Sequence, residues 1–275
     1  MSLHSVTPPR LFVLSGAGLS AESGIATFRS ADGIWSKESI NKVCNLDTWL
    51  ENRPDVFAFY NARLADMRNA EPNEAHRRLA QWQKRWGADR VQLLTQNVDD
   101  LLEKAGAQEV LHLHGDIHHY LCTACGHQFE RTSAQWDENL SCPACEDTVA
   151  VKPGVVFFNE NAPAYSHLQA MRASITNEDL FVAVGTSFAV ISPVQMLPRA
   201  RWSAHPRSFL VDPSPLEDMF GVVCAKPASV GLVEIERVVA AMMDGKPVPE
   251  AAAAGNTTNR VAALIQWLRA SFRLS

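Results

Sequence analysis

The sequence predicts an α/β fold with a parallel sheet, on three observations. Short apolar runs rich in Val, Ile, Leu and Phe recur at Leu11 to Leu14, Val91 to Leu94, Val110 to Leu113, Leu180 to Val184 and Phe209 to Val211. Each has the length of a strand and is mostly apolar, as strands covered on both faces of a parallel sheet are. Helical spacing lies between or beyond them, at Leu46 to Asn69, Glu74 to Trp86, Val98 to Ala105, Ala164 to Thr176 and Glu234 to Met243. Alternating strands and helices of this kind wrap a parallel sheet. Small polar turns follow several of the strands, at the carboxyl ends where such sheets receive ligands.

The first run leads into GAGLSAESGIATFRSADG, residues 16 to 33. Gly16-x-Gly18-x-x-Ala21 after a strand fits a tight turn whose backbone N–H groups approach a pyrophosphate, and equally a strand-to-loop turn with no ligand. A hydride-transferring dehydrogenase would continue into a helix and a second strand, with an acidic residue about 20 positions on. Here Gly24, Phe28-Arg29 and Asp32-Gly33 break up the segment, and Glu38 stands in polar Ser36-Lys37-Glu38-Ser39. The segment reads as a long loop over a ligand.

Thr95-Gln96-Asn97-Val98-Asp99 follows the second run. Asn97 suits a helix N-cap with Asp99 and Asp100 in the first turn, and a ligand site at the strand end is compatible with that. His112-Leu113-His114-Gly115 closes the third run and puts His114 at the same edge. Gly185-Thr186-Ser187, after the fourth run, is a small-residue loop suited to a ribose or a phosphate.

Cys122-x-x-Cys125 and Cys142-x-x-Cys145 are separated by 16 residues, close to the spacing of a four-thiolate zinc site. Two disulfides would be at odds with a reducing cytosol, and a redox CxxC would not require a second copy. Four thiolates leave no open position for water, so such an ion is structural. Cys44 and Cys224 read as small core residues.

At 275 residues, 47% hydrophobic and 20% charged, the chain suffices for a large domain and a smaller one. There is no run of about 18 apolar residues to span a membrane, and MSLHSVTPPRLFVLSG lacks the pattern of a secretory signal, so a cytoplasmic location is expected. A net charge of −5 argues against general nucleic-acid binding. GKPVPEAAAAGNTTN, residues 245 to 259, reads as a linker, and RVAALIQWLRASF resumes helical spacing; no internal repeat is present.

With these residues assembled, the chain resembles the sirtuin family of NAD-dependent protein lysine deacylases. GAGLSAESGIATFR, TQNVDDLLEKAG, HLHG, the paired CxxC motifs, KPGVVFFNE and VGTSFAVISP occur in the family's order across nearly the whole chain. The resemblance implies a Rossmann-like NAD-binding domain from 9–35, 87–118 and 150–245. A smaller domain would combine a helical part at 36–86 with a zinc ribbon at 119–149, and 246–275 would form the linker and terminal helix. It implies NAD as co-substrate, one structural zinc, and acylated protein lysines as partners. Gly16, Ala17, Gly18, Ala21, Phe28, Arg29 and Trp35 would surround the phosphates and nicotinamide ribose. Gln96, Asn97, Val98 and Asp99 would hold that ribose and the nicotinamide pocket, joined by Gly185, Thr186 and Ser187. His114 would be the general base, with Asn97 and Asp99 in catalytic support.

The acyl-lysine carbonyl oxygen would then attack the anomeric carbon as nicotinamide leaves. His114 would deprotonate a ribose hydroxyl so that the acyl group migrates, giving free lysine and O-acyl-ADP-ribose. Val155, Val156 and Phe157 would offer an extended edge to which a peptide adds as a strand. The Asn that many sirtuins carry at a strand end is absent from Phe209-Leu210-Val211-Asp212-Pro213, so Asp212 would take the adenosine ribose and Ala228 would lie against adenine.

Tyr60 and Arg63, at i and i+3, share a helix face. For an arbitrary helix that is an amphipathic surface pair, but here it resembles the Tyr-x-x-Arg of sirtuins that remove succinyl and malonyl groups. An ADP-ribosyltransferase or NAD glycohydrolase on the same fold is the rival enzyme reading, and a non-enzymatic NAD-binding interaction module is a third.

Overall fold

A computed structural model describes residues 8–27, 37–191, 207–215 and 220–248. Phe28, Arg29, Trp35, the linker from 249 on and the terminal helical stretch lie outside the described residues.

Among the described residues, six parallel strands form the main sheet in the order β3-β2-β1-β7-β8-β9. They are β1 (Leu11–Ser15), β2 (Val91–Thr95), β3 (Leu111–His112), β7 (Leu180–Val184), β8 (Ser208–Val211) and β9 (Val222–Cys224). Leu11 stands in register with Val91 on one side and Leu180 on the other. The chain builds outward from β1 in one direction and then returns to build in the other. The order therefore reverses at β1/β7, and the crevice at their carboxyl ends is the switch point where open α/β sheets bind ligands.

Side chains alternate between two cores, as the two-residue period of a strand requires. Leu11, Val13, Leu93, Val182 and Val184 pack in one core with residues of α3 (Glu74–Trp86) and α6 (Ala228–Met243). Phe12, Leu14, Leu94, Phe181 and Ala183 pack in the other, with Leu168 of α5 (Tyr165–Ser174). α3 is closed at its start by a capping box: Asn73 accepts from the N–H groups of Ala75 and His76, while the His76 ring receives the Asn73 N–H.

A second, antiparallel sheet of three strands has the order β5-β4-β6, from β4 (Gly115–Cys122), β5 (Gln128–Glu130) and β6 (Val151–Val155). Its inner face shares a third core with α2 (Arg53–Arg68), in which Tyr60 and Leu64 meet Tyr120, Trp136 and Phe157. α1 (Lys37–Val43) precedes α2, and α4 (Leu101–Lys104) follows β2.

Several elements differ from the sequence expectation. The pattern from Leu46 to Asn69 is not one helix: 46–52 form turns and α2 starts at Arg53, with Pro54 in the first turn where its missing N–H costs nothing. Val98 to Ala105 shrinks to the single turn of α4, and α6 begins at Ala228, well before Glu234. The sequence did not announce β4, β5, β6 or β9. β6 reads VKPGV, with a lysine, a proline and a glycine, and it is an edge strand, where proline is tolerated.

Candidate active site

The loops leaving β1 and β7 touch at the switch point. Gly16 N–H donates to the Val184 carbonyl at 3.1 Å, and Gly18 N–H to the Gly185 carbonyl at 2.8 Å. Gly185 has φ +60°, and a Cβ on Gly18 would stand 2.7 Å from the Gly185 Cα. The glycines therefore let two loops close on each other, and their own N–H groups are spent on carbonyls. This corrects the expectation that those amides point at a phosphate. The loop still lines the crevice through Gly16, Ala17, Gly18 and Ala21.

Ser20 is the hub of the next layer. Its hydroxyl donates to Asp99 Oδ2 at 2.9 Å and accepts from Asn97 Nδ2 at 3.1 Å. His76 Nε2 lies 3.3 Å from the same oxygen, while His76 Nδ1 receives the Asn73 N–H. His76 must then carry its proton on Nε2 and donate it to Ser20, which saturates that hydroxyl. Burial, with Arg77 nearby, pulls His76 down to about 4 and keeps it neutral. Burial pushes the Asp99 carboxyl up, opposed by its bonds from Ser20 and the Leu101 N–H. Gln96 Nε2 donates to Thr186 Oγ1 at 3.0 Å, joining the β2 loop to the β7 loop.

His114 ends the turn into β4. Gly115 beside it has φ +75°, and a Cβ there would collide with the Gly154 carbonyl, so a side chain would push β4 off β6. His114 Nδ1 lies 3.1 Å from the Gln96 carbonyl and Nε2 lies 3.1 Å from the Tyr165 hydroxyl. A carbonyl only accepts, so Nδ1 holds the hydrogen and Nε2 presents the lone pair, toward which Tyr165 donates. Burial lowers the His114 pKa below the ordinary imidazole value, partly offset by the Gln96 bond. The result is a neutral imidazole with its basic nitrogen in the crevice.

The crevice encloses about 840 Å3, within the range of small-molecule sites. Its walls include Gln96, Asn97, Val98, Asp99, His114, Gly185, Thr186, Ser187 and Asp212 at the sheet edge. Toward the second sheet the walls are Tyr60, Arg63, Val155, Val156 and Phe157, so residues far apart in sequence share one cavity. Ala228 does not join them: as the first residue of α6 it is buried in the core, and Pro227 lines the crevice in its place.

The extended edge at Val155 to Phe157 is largely closed. Val156 N–H donates to the His114 carbonyl and Phe157 N–H to Glu160, while the Val155 carbonyl receives the Lys152 ammonium at 2.7 Å. Lys152 is fully buried and ion-paired with Glu160 at 3.0 Å. Burial lowers its pKa and Glu160 opposes the shift. This segment therefore lends its side chains to the cavity but little backbone for a strand to pair with.

Cys122, Cys125, Cys142 and Cys145 place their sulfurs within 4.8 Å of one another, with Cys122–Cys145 and Cys125–Cys142 both at 3.7 Å. Zn–S bonds of about 2.3 Å at tetrahedral angles put sulfurs about 3.8 Å apart. The cluster fits one structural zinc, closed to water.

A family model described as the Sir2 family matches residues 16–192. The chain belongs to the Sir2 family. It is 35% identical over 248 residues to an NAD-dependent protein deacylase of Helicobacter hepaticus, covering 83% of this chain and 96% of that one. It is 37% identical over 226 residues to the NAD-dependent protein deacylase Sir2 of Mycolicibacterium smegmatis, covering 80% and 92%. Among solved structures, a mutant Sir2 homologue in complex with ADP-ribose superposes at TM-score 0.72 and 30% identity, over 87% of this chain and 95% of that one. A Sir2 homolog–NAD complex superposes at 0.69 and 31%, over 86% and 91%. Within this Sir2 fold, Ser20, His76, Tyr165 and the Lys152–Glu160 pair are what sequence reasoning missed. His76 carried a usable signal, a polar residue on the face that α3 turns inward.

Proposed function

We propose that this chain removes acyl groups from protein lysines with NAD as co-substrate, and that it works in the cytoplasm, where the four thiolates of its zinc site stay reduced. The observation that carries the reading is His114 Nε2, a lone pair set in the crevice by the Gln96 carbonyl behind the ring, met there by the Tyr165 hydroxyl that a ribose hydroxyl would replace, and next to the Asn97–Ser20–Asp99 network.

NAD supplies an anomeric carbon with nicotinamide as leaving group and a ribose hydroxyl that gives up a proton. His114 takes that proton at Nε2, and its depressed pKa keeps it unprotonated at neutral pH. Asn97 and Asp99, fixed by Ser20, orient the ribose and the carboxamide. Asp212 takes the adenosine side, with one carboxylate oxygen holding the Ser214 N–H. Phe28, Arg29 and Trp35 belong to the same reading on the family resemblance alone.

Tyr60 and Arg63 give the acyl preference. A guanidinium offers parallel donors to a distal carboxylate and a phenol adds another, so succinyl-lysine and malonyl-lysine are favoured and acetyl-lysine is also accepted. Tyr60 donates to Cys44 Sγ at 3.4 Å, a weak bond that a carboxylate readily replaces.

Incubation with NAD and a panel of acyl-lysine peptides, followed by mass spectrometry, tests the reading. The expected products are nicotinamide, free lysine and O-acyl-ADP-ribose. Free ADP-ribose or ADP-ribosylated protein in place of O-acyl-ADP-ribose would identify a glycohydrolase or a transferase instead.

A further inference from the structure

Arg63 reaches the cavity already restrained on two sides. Its Nε and Nη2 both donate to Asp66 Oδ2, at 3.0 and 2.9 Å, and its guanidinium carbon sits 5.3 Å from the centroid of the Phe59 ring. Asp66 stands at i+3 and Phe59 at i−4, so one helical face supplies both restraints. Arg63 and Asp66 both line the cavity. A guanidinium has two edges that match a carboxylate, the side edge of Nε with Nη2 and the end edge of both Nη groups. Asp66 occupies the side edge through a single oxygen. Nη1 has no hydrogen bond among the described residues, and it is left with the outer Nη2 hydrogen for a ligand.

We propose that Asp66 is a specificity-determining positioning residue: it holds the side edge of Arg63 so that the end edge is fixed as the receiver of an acyl chain ending in a carboxylate. The proposal rests on the acyl-lysine reading of the site. An unrestrained arginine loses rotamer freedom on every encounter with substrate, and a partner that has already ordered it removes that cost. Asp66 is half exposed while the Arg63 side chain is 18% exposed, so water screens the repulsion between Asp66 and an incoming carboxylate more than it weakens the contact with Arg63. Acetyl-lysine has no distal carboxylate and is indifferent to the arrangement.

The experiment measures kcat/KM on succinyl-lysine and acetyl-lysine peptides for wild type, Asp66→Ala, Asp66→Asn and Arg63→Met, with thermal melting as a control for the helix. Asp66→Ala is expected to lose about three- to thirtyfold on the succinyl peptide, mostly through KM, and to stay within about twofold on the acetyl peptide. Asp66→Asn keeps an oxygen at the same place and recovers most of the loss. A gain on the succinyl peptide in either Asp66 variant would show that Asp66 competes for Arg63, and equal losses on both peptides would show that it only supports the helix; each overturns the proposal. If Arg63→Met leaves desuccinylation at the wild-type level, the acyl pocket itself is misread and the proposal falls with it. That result is told apart by the arginine variant alone.

Discussion

In the parallel sheet every residue of β1 and β7 is buried, whereas in the antiparallel sheet β5 exposes two of its three residues and β4 is buried only in part. The first lies between two apolar cores. The second has one core, anchored by Tyr120 with Trp136 and Phe129 against it at 4.8 and 5.3 Å, and beyond that a cysteine cluster in place of hydrophobic mass. The parallel sheet is held by burial spread over many residues. The small sheet concentrates its stability in four sulfurs, and the crevice needs both.

The largest effect is expected from taking that concentration away. Zinc binding contributes apparent free energies on the order of 10 kcal/mol in small modules, so Cys142→Ser or strong chelation should unfold the segment around 119–149 and abolish activity. Limited proteolysis should cut there first, leaving the parallel sheet intact. A metal assay finding no zinc in protein of full stability would contradict the assignment.

Next in size is a change that leaves both sheets standing. His114→Ala is expected to lower kcat/KM by about 100- to 10,000-fold, with melting unchanged, since it removes the base and little packing. Wild-type turnover in the folded variant would refute the role. Because burial depresses the His114 pKa, the acid limb of the wild-type profile should lie below about pH 6.5.

The third prediction separates the two sheets by pH. His76 titrates near 6.5 when unfolded and about 4 when folded, so between those values the unfolded chain binds a proton that the folded chain refuses. Stability is thus fully present above pH 6.5 and falls as pH drops toward 4, by at most about 3 kcal/mol from this group. Urea melts of wild type and His76→Gln, both zinc-loaded, should differ in slope over that window; parallel slopes would remove His76 as the cause.

The smallest effect is selective. Arg63→Met should cost desuccinylation about 1.5–3 kcal/mol of transition-state binding, the worth of a charged hydrogen bond, and deacetylation much less. Comparing kcat/KM on the two peptides decides it, and equal losses would assign Arg63 to the helix.

The same contrast explains what could be read in the sequence. Strands sandwiched between cores are apolar at most positions, so β1, β2, β7 and β8 stood out from their neighbours. β4, GDIHHYLC, mixes faces, and β6, VKPGV, is buried throughout yet contains a lysine whose partner Glu160 is eight positions away. No periodicity reveals a charge neutralised in three dimensions. Asn97, Asp99 and His114 were legible because they sit at strand ends, while Ser20 and Tyr165 were not, because their importance lies in which atoms they reach. The glycines were noticed for a sound reason, and their small size also serves the neighbouring loop.

β4 starts at Gly115, next to the proposed base, and ends at Cys122, the first sulfur of the zinc cluster. One strand thus serves chemistry at one end and metal at the other, paired along both sides with β5 and β6. For anyone lengthening or grafting this chain, the 16 residues between Cys125 and Cys142 are more than a connector, since they carry β5 and the buried Trp136 that packs on Tyr120. Between His114 and Cys122 the strand is held at both ends, pairing with β6 at Gly115 and again from Tyr120 to Cys122 with a register shift between, so an added residue past Tyr120 would carry the sulfur out of its cluster while the histidine stayed where it was.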